Sequence, residues 1–471
     1  MTLKSTDSFF SLSERADLAA IINSDKSISY KDLFTQAKQI AFALSNKEIT
    51  KDSYIPLLIE DNFLFIKTVI ALWFFGAIPV PLNTKLLDDE IKSILDDFDF
   101  KFLVTDKETS LNLHKKDFEV IDLIKIIIAD SEVNSFSFPS INSEAVVIFT
   151  SGTSGRPKGV VHTFSSLIKS IENGNQILMH QEKDRWLASL PFYHIGGFQI
   201  LCRSLYYGCT IVLPESLKTD DLVTAITNLN PTHISLVSAQ LQKFIYLGMK
   251  ASKSVRITLV GGGFVDNELM FEAEKLGWKP YRVYGSSETA SMVTAISANE
   301  ILSKPQSVGK PLNNVKIKIS DDSEILIKSN SLFTKYLGDE KETSSKLING
   351  FYHSGDLGFV DVDGYLFIEA RRNDLIVTGG ENVNPIEVEK AILHFVGIRD
   401  VCVFAKQDKT WGQIVACAIV KEDNFINEKM IKETLKQKLT GYKIPKQFFF
   451  TDILPRTSLG KLEREKIKKM F

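Results

Sequence analysis

Residues Ala145 to Phe164 read AVVIFTSGTSGRPKGVVHTF. The first five are apolar and rich in β-branched types, which predicts a buried strand. From Thr150 to Gly159 the chain turns small, polar and cationic: Thr150, Ser151, Gly152, Thr153, Ser154, Gly155, Arg156, Pro157, Lys158, Gly159. Beyond it Phe164, Leu167, Ile168, Ile171 and Leu178 recur at helical spacing. A strand, a glycine-rich loop and a helix in that order suit phosphate. Gly152 and Gly155 let the backbone approach a bulky anion, the hydroxyls donate hydrogen bonds, and Lys158 brings a flexible positive charge. The stretch is not a Walker A loop, because Pro157 separates the second glycine region from Lys158.

A chain of 471 residues exceeds one ordinary core, so two or more domains are expected. Hydrophobic residues make up 44% and charged residues 24%, the balance of a globular enzyme. A formal net charge of -2 gives no broad electrostatic case for nucleic acid or an anionic membrane. The four cysteines, Cys202, Cys209, Cys402 and Cys417, form no CxxC pair. Cys402 and Cys417 lie in apolar, strand-like runs and read as buried thiols, which favours a reducing compartment and a cytoplasmic setting. The N-terminal MTLKSTDSFFSLSERADL lacks an apolar core of signal-peptide length. Phe63 to Pro81 is the most membrane-like segment, but Lys67, Gly76, Pro79 and Pro81 interrupt it, so a buried helix running into a strand is expected there.

Read in order, the chain alternates helices and strands. Ser27 to Leu44 is a short strand or turn and then an amphipathic helix. Ile55 to Ile59, Ala77 to Val80 and Phe102 to Val104 are strand candidates, with helices at Asn62 to Phe75 and Asp88 to Asp97. This spacing predicts an α/β domain with a largely parallel sheet. WLASLPFYHIGG, from Trp186 to Gly197, breaks between strand and helix at Pro191, Gly196 and Gly197, with His194 in the break. Val255 to Gly263 (VRITLVGGG) is a strand ending in three glycines, an edge that can pass close to a flat ligand. Val283 to Ser291 (VYGSSETAS) is a strand breaking into a polar loop whose Ser-Ser-Glu-Thr run is also a capping signal. Ser354-Gly355-Asp356 places a carboxylate after a turn glycine. Asp361 to Gly364 is a hairpin turn leading to a strand at Tyr365 to Ile368.

Past Leu375 a compact α+β unit is expected. Thr378-Gly379-Gly380-Glu381-Asn382 is a tight loop. Asn384-Pro385 caps a helix carrying Ile386, Ile392, Leu393 and Phe395. Strands follow at Val401 to Ala405, Ile414 to Val420 and Gln447 to Thr451, with a helix at Glu428 to Leu439. Lys461 stands near the end in Pro455-Arg456-Thr457-Ser458-Leu459-Gly460-Lys461.

The ordered TSGTSGRPKG resembles the phosphate loop of the adenylate-forming superfamily, which includes acyl-CoA synthetases, the adenylation domains of peptide synthetases and beetle luciferases. YGSSET, SGD, EARRND and PRTSLGK resemble further motifs of that superfamily, in its order and over essentially the whole chain. The resemblance implies a large N-terminal domain of stacked mixed and parallel sheets with helices, residues 1–371, and a small mobile α+β domain, residues 372–471. It implies ATP, Mg²⁺ and coenzyme A as reactants, with a small carboxylic acid as the partner to be activated.

Carried over residue by residue, the resemblance assigns ATP binding to Thr150, Ser151, Gly152, Thr153, Lys158, Gly262, Tyr284, Gly285, Ser287, Asp356 and Arg371. Tyr284 would stack on adenine, Ser287 would touch the α-phosphate, Asp356 would take both ribose hydroxyls, and Glu288 would help hold Mg²⁺. Lys461, His194 and Lys158 would be the catalytic set, and Gly379 and Gly380 would line the channel for coenzyme A after a domain swing about Asn373 or Asp374. Two departures stand out: Ala370 replaces the usual glycine of the hinge motif, and Ser354 the usual threonine. Amino-acid-activating members carry an aspartate near His194 that this chain lacks, which favours a plain carboxylic acid. The run from Arg185 to Gly208, with LVGGG and YGSSETAS, is most similar to ligases for an aromatic acid that bears a second carboxylate. His194, Arg203, Gly263 and Ser291 are the acyl-site candidates, and His194, Arg203, Ser238 and Ser291 could each anchor the spare carboxylate. Another aryl or acyl acid, a luciferase-type oxidation and an inactive binding module remain as alternatives.

Overall fold

Local chemistry bounds the elements sharply. Asp61 caps the helix Asn62–Phe75 by accepting from the Leu64 amide at 2.9 Å, and Gly76 ends it with a φ of 71°. Both faces of this helix are buried, as its near-continuous apolar sequence demands. The helix Asp88–Asp97 opens with three acidic residues, where the helix dipole favours them, and Glu90 accepts from the Leu87 amide at 3.0 Å. The computed structural model describes residues 16–106, 118–126, 139–150, 157–263, 265–371, 376–383, 385–422, 425–455 and 464–471.

Four sheets organise the described residues. The largest has fourteen strands and runs from Lys316–Ile319 at one edge to Ser27–Ser29 at the other. Its middle is parallel: Pro280–Ser286, Ile257–Gly261, His233–Val237, Arg185–Leu187, Thr210–Val212 and Ala19–Ile22 lie side by side in that order. Antiparallel strands extend it from Ser291–Ser297 onward. A second sheet, all parallel, orders Ile78–Pro81, Tyr54–Leu58, Phe102–Thr105 and Glu119–Asp122. Buried helices fill the space between these layers, and Trp73 sits at its centre with its indole N–H on the Ala145 carbonyl at 2.7 Å.

The strand predicted at Ala145 to Phe149 forms as Glu144–Thr150, but the element after the glycine-rich loop is a second strand, not a helix. Lys158–Thr163 returns antiparallel to the first, with Thr150 opposite Lys158 and Val147 opposite Val161. The helix Phe164–Leu178 starts only after it, capped by Thr163. Val160 and Val161 are β-branched, fully buried and long enough to pair, and pairing satisfies backbone groups that a loop there would leave orphaned. Glu144–Thr150 and Lys158–Thr163 are therefore the two arms of a hairpin, and the helix begins only at Phe164.

Residues 376–471 have their own five-stranded sheet and their own cores. Ile376–Thr378 and Glu381–Val383 form a hairpin, and Gly412–Lys421 pairs with Ile398–Asp408 on one side and Gln447–Phe450 on the other. The helix Pro385–Leu393 ends before Phe395, and Glu428–Lys436 stops before Leu439; both are shorter than the spacing predicts. Leu439 is nonetheless buried, as part of the turn that follows. The four cysteines are buried and form no disulfide with one another, and no described helix is long and apolar enough to cross a membrane.

Candidate active site

In an open sheet of parallel strands, ligands bind beyond the carboxyl ends. Here those ends deliver the segments singled out in the sequence. His233–Val237 ends at Val237, Ile257–Gly261 runs into Gly262 and Gly263, and Pro280–Ser286 runs into a 3-10 turn, Ser287–Thr289. Arg185–Leu187 leads to His194, the residue before the helix Ile195–Tyr207. Gly285 lies where the strand from Pro280 meets Ser291–Ser297. A Cβ there would come within 1.9 Å of the Ser291 carbonyl oxygen, so no other residue fits.

Two groups of predicted nucleotide-site residues are brought together. Tyr284 is buried and donates its hydroxyl to Asp356 Oδ2 at 2.7 Å. Asp356 in turn lies opposite Arg371 across the strands Phe351–Val360 and Leu366–Arg371. The second group gathers on Tyr336. Its hydroxyl donates to Glu288 Oε1 at 2.9 Å, and Lys158 Nζ lies 5.3 Å from its ring centroid. Lys158 also pairs with Glu342. Burial and the charge of Glu288 hold the Tyr336 phenol far above its ordinary pKa, so it is a donor at any working pH. The remaining oxygen of Glu288 is a hard donor of the kind Mg²⁺ prefers, and one carboxylate with substrate phosphates is the usual site for that ion. Among the described residues no three potential ligands converge, so such an ion would depend on those phosphates.

The sequence reading passed over Tyr336, Glu342 and His162. His162 is fully buried, with Nε2 2.7 Å from the Ser287 carbonyl oxygen and Nδ1 3.0 Å from Ser166 Oγ. Burial pushes it down to about 4 against the pull of the Ser287 hydrogen bond, so it is neutral and fixes the Ser287 turn from behind. The only local signal was a histidine within a run of apolar strand residues.

Deeper in the large domain, Arg203 is 1% exposed. Its Nη2 lies 3.4 Å from Ser291 Oγ, and its Nε has no partner among the described residues. Burial lowers the guanidinium to about 10, and it stays charged. The neighbouring Cys202 thiol and Tyr207 phenol are both pushed up by burial and stay neutral, so neither balances that charge. Arg203 and His194 belong to one helix, nine residues apart, or roughly 13 Å along its axis. His194 is partly exposed, whereas Arg203 is buried. Gln199, on the same helix, donates to the Ala290 carbonyl at 3.0 Å and ties helix to loop.

The small domain packs against Val237, Gly263 and His194. Gly379 and Gly380 make the turn of their hairpin with φ of 59° and 87°. A Cβ on Gly380 would come within 2.6 Å of Val237 Cγ1, so only glycine allows this approach. Val377 packs against Gly263. Glu381 Oε2 is 3.0 Å from His194 Nε2. Burial alone would raise the Glu381 carboxyl, but the His194 hydrogen bond and the charges of His194, Lys85 and Lys443 prevail and hold it below the usual range. Ser151, Gly152, Thr153, Lys461, Asn373 and Asp374 lie outside the described residues.

Residues 11–337 match the family described as AMP-binding enzyme, and residues 387–461 match the AMP-binding enzyme C-terminal domain. The chain is 31% identical over 471 residues to a 2-succinylbenzoate–CoA ligase of Bacillus subtilis, covering 97% of each. Among solved structures it is similar to o-succinylbenzoate CoA synthetase from Bacillus subtilis. A double mutant bound with the product analogue OSB-NCoA superposes with a TM-score of 0.92 at 30% identity, covering 98% of both chains. The same enzyme in complex with the acyl-adenylate intermediate OSB-AMP gives 0.75 at 30% identity, covering 98% of both. In complex with ATP and magnesium ion it also gives 0.75 at 30%, covering 98% of this chain and 99% of that one.

Proposed function

The chain belongs to the AMP-binding enzyme family, and we infer that it is an ATP-dependent ligase that joins 2-succinylbenzoate to coenzyme A, a step of menaquinone biosynthesis. Buried Arg203 is the observation that carries the choice of acid. A guanidinium taken out of water without a counter-charge is costly, and a substrate with a second carboxylate supplies one. A simple benzoate or a fatty acid has no group to offer there. Ser291 adds a hydroxyl beside it.

The reaction runs in two displacements. The substrate's other carboxylate attacks the α-phosphorus of ATP, and pyrophosphate leaves with the bond it held. The thiolate of coenzyme A then attacks the activated carbonyl, and AMP leaves. Positioning and positive charge do most of the work in the first step. Asp356, oriented by Tyr284, takes the ribose, with Arg371 opposite it on the neighbouring strand. Ser287 meets the α-phosphate from a turn braced by His162, and Lys158 balances phosphate charge from the hairpin. Mg²⁺, when bound at Glu288, neutralises phosphate charge, and Tyr336 orients that carboxylate. Lys461 supplies the last positive charge in this step. In the second step Gly379 and Gly380 line the thiol's path beside His194. The domain boundary falls at 371/372, and ATP and coenzyme A as co-substrates make the cytoplasm the working compartment.

The test is AMP release by purified protein with ATP, Mg²⁺ and coenzyme A against a panel of acids. Turnover confined to 2-succinylbenzoate is expected. Equal turnover with benzoate or fatty acids would keep the ligase and discard the substrate, and no turnover with any acid would sink both.

A further inference from the structure

Glu90 and Lys443 meet across the two domains at a place no motif marks. Lys443 lies in the turn Gly441–Lys443 of the small domain and is 8% exposed. Its ammonium is 2.8 Å from Glu90 Oε1 of the large domain and 2.7 Å from Glu387 Oε1 of its own domain. Glu90 Oε2 also accepts from the Thr440 hydroxyl at 2.8 Å. Close by, Asn83 Nδ2 donates to the Tyr442 hydroxyl at 3.3 Å. The turn packs against the strand Glu381–Val383, part of the hairpin that lies on Val237 and His194.

We propose that Glu90 is a positioning residue for the thioester-forming step, holding the small domain so that Gly380 and Glu381 stay against Val237 and His194. The proposal rests on the ligase reading above for the step it affects. Its geometry is asymmetric. Lys443 and Glu387 share a domain, so their pair travels with any rotation. The Leu87 amide bond of Glu90 is local to its own helix and also survives. The Glu90 contacts to Lys443 and Thr440, with the Asn83–Tyr442 bond beside them, belong to this one arrangement, and a rotation that breaks them takes two partners from Glu90. The pair therefore weights the domain equilibrium toward the arrangement seen here, and it acts on nothing that touches the reacting atoms. Burial pulls the Lys443 ammonium down, but Glu387 and Glu90 outweigh it and hold it above its ordinary pKa.

The experiment compares wild type with Glu90→Gln, which keeps an oxygen for the Leu87 amide and loses the charge, and with Thr440→Val, which removes one hydroxyl only. Two half-reactions are read separately. Thioester formation from supplied acyl-adenylate and coenzyme A is expected to slow about tenfold in Glu90→Gln and less in Thr440→Val. ATP–pyrophosphate exchange with 2-succinylbenzoate is expected to hold at the wild-type rate. A second readout needs no substrate: spin labels at Ser93→Cys and Lys438→Cys, both exposed, report the interdomain distance, the native cysteines being buried. Glu90→Gln should deplete the distance that this arrangement gives. Unchanged distances, or equal losses in both half-reactions, would overturn the proposal. A wild-type protein inert toward 2-succinylbenzoate would instead overturn the substrate reading, and the distances would still decide the role of Glu90.

Discussion

Replacing Arg203 with methionine should weaken recognition of the acid while leaving the protein as stable as before or more so. The side chain is long, buried and charged with no carboxylate on it, so methionine fills similar space without the desolvation cost. A melting temperature equal to wild type or a few degrees higher is expected, together with a KM for 2-succinylbenzoate raised on the order of 10²-fold and an unchanged KM for ATP. Loss of stability with an unchanged KM would mean that Arg203 is held by the protein rather than waiting for the substrate. His162 makes the second argument at this scale. Its folded pKa of about 4 lies below the ordinary 6.5, so between those values the unfolded chain takes up a proton that the folded one refuses. Stability from this site is full above pH 6.5 and is lost as the pH falls toward 4, by on the order of 3 kcal/mol. His180, pushed down to about 2 chiefly by burial, adds a slope of the same sign. Urea midpoints at pH 7.5 and 5 should therefore differ less in His162→Gln than in wild type, without becoming equal. An identical pH dependence in the two proteins would place the proton elsewhere.

At the scale of elements, the hairpin of Glu144–Thr150 and Lys158–Thr163 is joined on its open edge by Lys335–Tyr336, and that third strand carries the residue that orients Glu288. Tyr336→Phe keeps the ring under Lys158 and removes only the hydroxyl. Orienting partners of metal-binding carboxylates are typically worth 10–100-fold, so the Mg²⁺ concentration for half-maximal ATP–pyrophosphate exchange should rise roughly tenfold, with the KM for coenzyme A unmoved. An unchanged Mg²⁺ requirement would remove Glu288 from the metal's site. This strand also marks the limit of what could be read in advance. Helices such as Asn62–Phe75 and Asp88–Asp97 were legible to the residue, because caps and acidic first turns are local chemistry. Val160 and Val161 misled because a strand of six residues next to a helix looks like the helix's own beginning, and only its pairing with Val147 and Ile148 distinguishes the two. Tyr336, Glu342 and His162 were silent for the same reason: each acts through a partner 48 to 184 positions away, a distance at which spacing carries no information. Motif order singled out Tyr284, Glu288 and Asp356, although nothing local says that Tyr284 and Asp356 touch.

At the scale of the whole molecule the informative comparison is between superpositions of one relative in different complexes. Sequence identity is the same, yet the TM-score falls from 0.92 with the product-analogue complex to 0.75 with the ATP or acyl-adenylate complexes. The difference therefore lies in how parts of equal similarity are arranged, and the arrangement here, with Gly380 on Val237 and Glu381 on His194, is more similar to that of the product-analogue complex. A protein that must serve two displacements with one small domain cannot hold the Gly379–Gly380 turn and Lys461 at the same carbonyl together, so the two should separate by half-reaction. Lys461→Ala should slow acyl-adenylate formation by 10²-fold or more, since the charge it supplies counts mainly in the transition state. Thioester formation from supplied acyl-adenylate should stay near the wild-type rate, because the displacement at phosphorus is by then complete. This is the mirror image of the pattern expected for Glu90→Gln. Measured side by side, the two variants would each lose the half-reaction that the other keeps. If Lys461→Ala depressed both steps equally, a single arrangement would be serving both displacements, and the contacts between His194, Glu381 and Val237 would belong to the resting protein rather than to one stage of its cycle.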